Sequence, residues 1–173
     1  YTGVETLHEM ETHDHYLYAK YAMNRMADFV GKKKNIRTEF NVHVHGLGYS
    51  FVNANINDLG IETRHFVLPT PIDNGKLKLR IGVSIKELKD RGKISPFLKL
   101  IPNKLATNLV LKGTYKGYVH DVSMDFKIWE NKIYIDPPIL AKGDGPVTQY
   151  RMWAQQFYYD DSSQPNYVPH EVM

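Results

Sequence analysis

The stretch Ile36-Arg37-Thr38-Glu39-Phe40-Asn41-Val42-His43-Val44 decides the fold class. Ile36, Thr38, Phe40, Val42 and Val44 fall on one side of an extended chain. Arg37, Glu39, Asn41 and His43, with His45 after them, fall on the other. A period of two with β-branched and aromatic residues is a strand with one face buried. Gly46 and Gly48 end it. A second strand fits Tyr49–Ile56, followed by a turn at Asn57-Asp58-Leu59-Gly60. A third runs Ile61–Leu68 and is expected to stop at Pro69 and Pro71, since proline removes a ladder donor. Asp73-Asn74-Gly75 is a hairpin signal. Beyond it Leu77, Leu79, Ile81, Val83 and Ile85 alternate with Lys78, Arg80 and Ser84 as a fourth strand. Short turns between successive strands predict an antiparallel sheet.

Upstream, Leu17, Tyr21, Ala22, Met26, Phe29 and Val30 recur at roughly helical intervals, which predicts a helix over residues 16–30. Lys32, Lys33 and Lys34, close to Arg37, follow Gly31 and read as a solvated loop or as a patch for docking an acidic partner. Downstream, Leu105, Leu109, Val119, Val122, Phe126 and Trp129 share one helical face within Asn103–Trp129. Gly113 and Gly117 are expected to break or kink that helix. Lys132–Ile135 reads as a short extended piece ended by Pro137-Pro138. Gly145-Pro146 opens a closing helix through Tyr158, with proline suited to the first turn. The tail from Asp160 onward is polar. Strands first and helices after them predict an α+β fold, the helices packed on one face of the sheet.

The 173 residues suffice for one domain with a core and are short for two. A hydrophobic content of 42% and a charged content of 24% are ordinary for a soluble protein, which sets aside disordered and membrane-spanning classes. The net charge of +3 is too weak for the basic stripe that marks a nucleic-acid binder. There is no cysteine, so thiolate zinc sites, disulfides and cysteine nucleophiles are excluded from this segment. No apolar run is long enough to span a bilayer and no signal-peptide pattern is present, which is the expectation for a cytoplasmic protein. The chain opens at Tyr1 directly in patterned sequence, as a processed or excised piece of something longer would.

Eight histidines invite a metal hypothesis. His43 and His45 lie two apart on the predicted strand, so they share a face and are able to share an ion, or simply line an exposed polar face. His13 and His15 flank Asp14. No His-Glu-x-x-His, Gly-x-Ser-x-Gly, phosphate-loop or dinucleotide glycine pattern occurs. Composition and spacing alone thus describe an α+β domain without assigning it a role.

The C-terminal third is more specific. Asp125-Phe126-Lys127-Ile128-Trp129-Glu130-Asn131-Lys132, then Gly143-Asp144-Gly145-Pro146, then Tyr150-Arg151-Met152-Trp153-Ala154-Gln155-Gln156-Phe157-Tyr158 come in a distinctive order. They resemble the end of the α subunits of Rieske non-haem iron oxygenases, and among these the 3-ketosteroid 9α-hydroxylases and their sterol-oxidising relatives. The shared pieces are an aspartate four residues before a tryptophan, an Asp-Gly-Pro turn, and a closing helix with a Gln-Phe-Tyr-like end. The resemblance covers residues 119–159 and does not extend upstream of residue 35.

The resemblance implies that residues 1–159 are the C-terminal portion of an oxygenase catalytic domain of helix-grip type, with residues 160–173 a polar tail. It implies a mononuclear iron(II) held by two histidines and one carboxylate, the carboxylate matching Asp125 with Asp121 as runner-up. It implies a [2Fe–2S] Rieske cluster in an N-terminal region missing from this chain. The family's Asp-x-x-His-x-x-x-x-His pattern is not found, and His8, His13 and His15 lack its spacing, so the iron site is incomplete here and the isolated chain is expected to be inactive. A separate electron-transfer reductase and a homotrimer follow from the same resemblance, as does iron- and oxygen-dependent hydroxylation of a steroid-like, polycyclic or aromatic substrate. Phe40, Val42, Phe51, Phe66 and Leu79 are the candidates for the substrate pocket, and Trp129, Trp153 and Phe157 for core anchors of the closing helices. The competing expectations are a non-enzymatic helix-grip carrier of a hydrophobic ligand and an interaction domain within a larger assembly.

Overall fold

The computed structural model describes residues 2–29, 32–73, 76–133, 135, 137–141 and 144–158. Six strands form one antiparallel sheet in simple chain order. They are β1 (Thr2–His13), β2 (Tyr16–Phe29), β3 (Lys32–His45), β4 (Tyr49–Ile56), β5 (Ile61–Asp73) and β6 (Lys76–Ile85). A short helix α1 (Arg91–Ile94), a 3-10 turn, the long α2 (Asn103–Trp129) and α3 (Val147–Ala154) follow. The α+β class is therefore as the sequence predicts, with two more strands than expected. Among the described residues no helix is long and apolar enough to cross a membrane.

The predicted helix over residues 16–30 is instead strand β2, which pairs with β1 on one side and β3 on the other. A strand in that position is covered on both edges and carries large groups on both faces. Leu17, Ala19, Tyr21 and Met23 share one face, while Tyr16, Tyr18 and Lys20 share the other. With Tyr and Ala on both faces the period-two contrast disappears, and Leu17 and Tyr21 imitate a helical spacing. The pairing of β2 with β3 also draws Lys32–Lys34 into a strand, where a loop was expected. Their side chains lie outside the described residues.

The prolines do not stop β5. The pairing of β4 with β5 ends at Ser50↔Val67, whereas β5 pairs with β6 on to Asp73↔Lys76. Past Val67 one edge of β5 is therefore open. Pro69 and Pro71 are two apart, so the N–H each lacks would point toward the same edge, and the open edge needs no donor. Asn74 and Gly75 of the hairpin signal lie outside the described residues, as does the tail from residue 159. Lys132, Ile133 and Ile135 form no strand.

Paired residues share a face, and one face of the sheet carries the core. Ile36, the largest fully buried side chain at 0% exposure, packs with Leu59, Ile61, Leu88, Leu98 and Ala106 at one end of that face. At the other end Met10, Leu17 and Ala19 pack with Trp153 and Ala154 of α3. Two anchors fix α3 there: Trp153 Nε1 and Gln156 Nε2 both donate to the Asp14 carbonyl at 2.9 Å. Asp14 has φ of +48° in the β1–β2 turn, a strained conformation that turns this carbonyl to its donors. The closing helix is shorter than expected: it leaves α-helical geometry at Ala154 and ends in a 3-10 turn over Gln155–Phe157. Upstream of it, Gly145 has φ of +73°, which glycine tolerates, and the Asp144 carboxylate accepts from the Ala141 N–H at 2.6 Å. The Asp-Gly-Pro piece is thus a turn that delivers α3.

Helix α2 runs unbroken for 27 residues through both glycines. A Cβ added to Gly113 or Gly117 would meet nothing within 4 Å, so nothing pries the helix open there. Ala106 is buried and Val110, Thr114, Tyr118 and Val122 are partly buried, a stripe about one residue round from the face expected from Leu105 and Leu109. Ala106 at 0% exposure and Thr107, whose hydroxyl accepts from Leu88 N at 3.4 Å, let the helix lie close to the sheet. The larger Leu105, Leu109, Phe126 and Trp129 face outward. Trp129 is 49% exposed and is no core anchor, whereas Trp153 at 8% is one.

Two stability measurements test this packing. Ile36→Ala lowers unfolding free energy by about 2–5 kcal/mol, and Ile36→Val by about 0.5–1.5. Gly113→Ala and Gly117→Ala each raise it by about 0.5–1 kcal/mol. A loss of stability in either glycine variant would mean that the helix bends at that point.

Candidate functional site

The strand register lays out the core face as rows. One row is Ala19–Val42–Val52–His65–Val83, and the next is Tyr21–Phe40–Ala54–Thr63–Ile85. Between the two buried clusters, Phe40, Val42, Val52, His65 and Val83 are only partly buried. They form an apolar floor with one imidazole in it. Helix α2 contacts this floor from above: the Tyr118 ring meets the His65 ring edge-on, with centroids 4.7 Å apart at 84°. His65 is tied to its own strand, Nε2 lying 3.0 Å from Thr63 Oγ1. The Thr63 proton is donated to the Ala54 carbonyl at 3.3 Å, so Nε2–H of His65 is the donor to Thr63. Burial raises the Tyr118 hydroxyl pKa above its usual 10.0, which keeps it a neutral donor. The Thr38 hydroxyl, on the same face, is buried without a hydrogen-bond partner.

Tyr118 fixes which side of α2 faces the sheet. Asp125 follows it by two turns less about 20°, roughly 10 Å further along the axis. Asp121 sits about 60° off the same line. Both carboxylates are solvent-exposed. The described residues contain no group of three His, Cys, Asp or Glu able to hold a metal ion. Among the described residues no two-histidine, one-carboxylate set is brought together.

The pocket candidates divide between the faces. Phe40, Val42 and Leu79 lie on the core face, while Phe51 and Phe66 pair with His43 and with each other on the opposite face. Val52, His65, Val83 and Tyr118 were missed. The alternation that exposed Val42 also holds in β4 and β5, and pairing Val42 with Val52 needed only the register.

The opposite face holds a different constellation. Phe51 stacks on His43 at 4.5 Å, and the Arg64 guanidinium lies 4.6 Å over the same ring. Arg64 Nε donates to Asn53 Oδ1 at 2.8 Å, so the Asn53 amide nitrogen faces His43 Nε2 at 3.4 Å. A lone pair is needed there. The His43 proton therefore sits on Nδ1 and is donated to the Tyr16 hydroxyl at 2.7 Å. Burial, then His45 and Arg64, lower the His43 pKa below 6.5. His43 and His45 do share a face, yet both nitrogens of His43 are spent on neighbours. Beside them lies a hollow of about 380 Å³ lined by polar groups such as Asn41, Asn55, Glu62, Ser84 and Lys86. Glu62 is held below its usual carboxylate range by Lys86 and by Lys89 at 3.2 Å. His13 lies exposed at the end of β1, 3.9 Å from Glu11, and His15 packs against Phe157 at 5.5 Å.

Residues 3–158 match the model of a family described as the 3-ketosteroid 9alpha-hydroxylase C-terminal domain. The match reaches β1 and β2, upstream of the region where the motifs carried a resemblance. The chain is 31% identical over 113 residues to a 3-ketosteroid-9-alpha-monooxygenase oxygenase component of Rhodococcus rhodochrous, covering 64% of this chain and 25% of that protein. A probable oxygenase component from the same organism is 47% identical over 93 residues, 52% of this chain and 20% of its own length. A cholesterol 7-desaturase of Caenorhabditis elegans is 50% identical over 38 residues, 22% of this chain and 9% of that protein. The chain spans a quarter or less of each of these relatives.

His43 gives a pH signature. Its folded pKa lies below the unfolded value near 6.5, so the unfolded chain binds the proton more readily. The stability tied to a neutral His43 is complete above about pH 6.5 and is lost as pH falls below it. Melting temperature is expected to drop further between pH 7.5 and 5.5 in the wild type than in His43→Phe. Parallel drops would show that the ring takes up its proton without strain.

Proposed function

The chain belongs to the family of 3-ketosteroid 9α-hydroxylase C-terminal domains, the C-terminal catalytic domain of Rieske oxygenases, and from that premise we propose that it forms the substrate-facing part of an oxygenase acting on a hydrophobic polycyclic or sterol-like molecule. One observation carries the reading. The Tyr118–His65 contact turns toward the apolar floor the same helical stripe that carries Asp125. A hydrophobic substrate on Phe40, Val42, Val52 and Val83 would then lie alongside that carboxylate. The polar hollow on the other face does not suit such a ligand.

In this reading Asp125 is the carboxylate of a two-histidine, one-carboxylate iron site, with Asp121 the runner-up. When bound, the iron would supply oxygen activation, and the facial geometry leaves positions open for it. The two histidines come from sequence outside these residues. The Rieske [2Fe–2S] cluster does as well, since the chain has no cysteine to hold it. What this chain contributes is an apolar, water-excluding floor and the orientation of the substrate over it. Residues 1–159 are read as the C-terminal portion of a helix-grip catalytic domain. The outward Leu105, Leu109, Phe126 and Trp129 are then covered by the rest of the subunit, since exposed apolar groups on this scale mark a contact surface. A separate reductase, a trimeric assembly and a cytoplasmic setting complete the proposal.

The test uses the full-length subunit. Asp125→Ala is expected to lose iron and steroid turnover, while Asp121→Ala keeps both. The reverse pattern moves the ligand to Asp121. Iron and turnover unchanged in both variants would defeat the assignment. Binding of a steroid by wild-type subunit that takes up no iron would favour a carrier instead.

A further inference from the structure

Strand β4 begins at Tyr49 and its pairing with β5 reaches only Ser50↔Val67, whereas β5 and β6 stay paired on to Asp73↔Lys76. Residues 68–73 and 76–80 are therefore a two-stranded arm, reaching roughly 20 Å past the Tyr49 end of β4. A ribbon of two strands has little stability in water by itself and gains it by laying its side chains against something. Alternation puts Pro69, Pro71, Leu77 and Leu79 on one face of the arm and Leu68, Thr70, Lys78 and Arg80 on the other. Towards its end Ile72 is 60% exposed and Leu77 59%. Leu77 pairs with Pro71, and Ile72, next along the strand, points to the opposite side, so both faces of the arm end in a bare aliphatic group.

The charge on the arm is one-sided. Lys76, Lys78 and Arg80 are all exposed, and Asp73 is the only carboxylate between residues 68 and 81. Lysine on an edge strand also serves to repel stray strands, but that use does not call for isoleucine and leucine beside it. A protein lying on one face of the arm would leave the aliphatic group of the other face in water. Apolar groups on both faces with cations around them suit immersion at the boundary between hydrocarbon and anionic headgroups. We propose that the β5–β6 arm docks the subunit on an anionic lipid bilayer, Ile72 and Leu77 entering the acyl boundary while Lys76, Lys78 and Arg80 meet the lipid phosphates. The protein then lies on the bilayer without crossing it. The arm's own surface carries this inference, which goes beyond the function proposed above; that reading gives the docking a use, since sterol-like molecules reside in bilayers rather than in water.

The experiment floats the full-length subunit with vesicles of phosphatidylcholine alone and of phosphatidylcholine mixed with phosphatidylglycerol, at low and high salt. Wild type is expected on the mixed vesicles, far less on the neutral ones, and is released as salt screens the cations. Lys78→Gln combined with Arg80→Gln lowers the partition coefficient on mixed vesicles about 10- to 30-fold, at about fivefold per cation removed. Ile72→Ser combined with Leu77→Ser lowers it about 10-fold. Melting curves check that both variants fold. Absence of the wild type from the mixed vesicles overturns the proposal, as does binding that neither pair of substitutions weakens. Binding that falls with the cations and survives the loss of Ile72 and Leu77 shows a basic patch with no inserted tip, and overturns it too. Flotation is read without turnover, so an inactive subunit that still floats defeats the oxygenase reading and leaves the docking arm standing.

Discussion

The unbroken pairing of β2 with β3, from Tyr16↔His45 to Phe29↔Lys32, is the constraint on which the rest of the molecule depends. A one-residue slip in it would exchange the faces of every side chain on one strand relative to the other. If β3 slipped, Ile36 would leave the core and His43 would be driven against the helices; if β2 slipped, Leu17 and Ala19 would turn away from Trp153. Because both faces are specified so differently, apolar on one and hydrogen-bonded on the other, the register has one favourable solution. The rows that form the floor of the site then follow across β4, β5 and β6.

On that foundation the helices work unequally. Helix α3 is an anchor, held to the Asp14 carbonyl by two donors from the closing Trp-Ala-Gln-Gln run. Its resemblance-bearing residues therefore secure the first hairpin. Helix α2 is a roof. Its small residues face the sheet, its large ones face away, and Tyr118 sets the direction in which Asp125 is presented. The two motifs that carry the resemblance thus sit differently in the fold: the closing run docks on the first hairpin, and the Asp125–Trp129 piece ends α2 in an exposed stretch.

The two faces of the sheet also separate two kinds of chemistry. The polar face builds a chain of hydrogen bonds from Arg64 through Asn53 and His43 to Tyr16 that crosses four strands. That chain holds His43 neutral and its ring upright beside Phe51, adding cross-strand stacking to the sheet. On the core face the His65 imidazole meets Tyr118 of α2.

Much of this was legible in the chain. The alternation of Ile36–Val44, the turn at Asn57–Gly60 and the strand before Ile85 are local patterns, because a half-buried strand writes its two environments directly into alternate residues. The family was legible as well, since Asp125, Trp129, the Asp-Gly-Pro turn and the Gln-Phe-Tyr end keep their spacing. Strand β2 was not, because it is flanked on both edges and carries large side chains on both faces, which erases its period. Nor was the continuation of β5 through Pro69 and Pro71, which depends on where β4 happens to end. The sequence by itself determined the class of fold, the family and the carboxylate to examine. Only the tertiary structure decided which residues share a face, separating Phe51 and Phe66 from Phe40 and Val42 and joining His65 to Tyr118. Face-sharing between strands and helices is set by register and packing angle, and those are properties of pairs of elements that no single segment encodes.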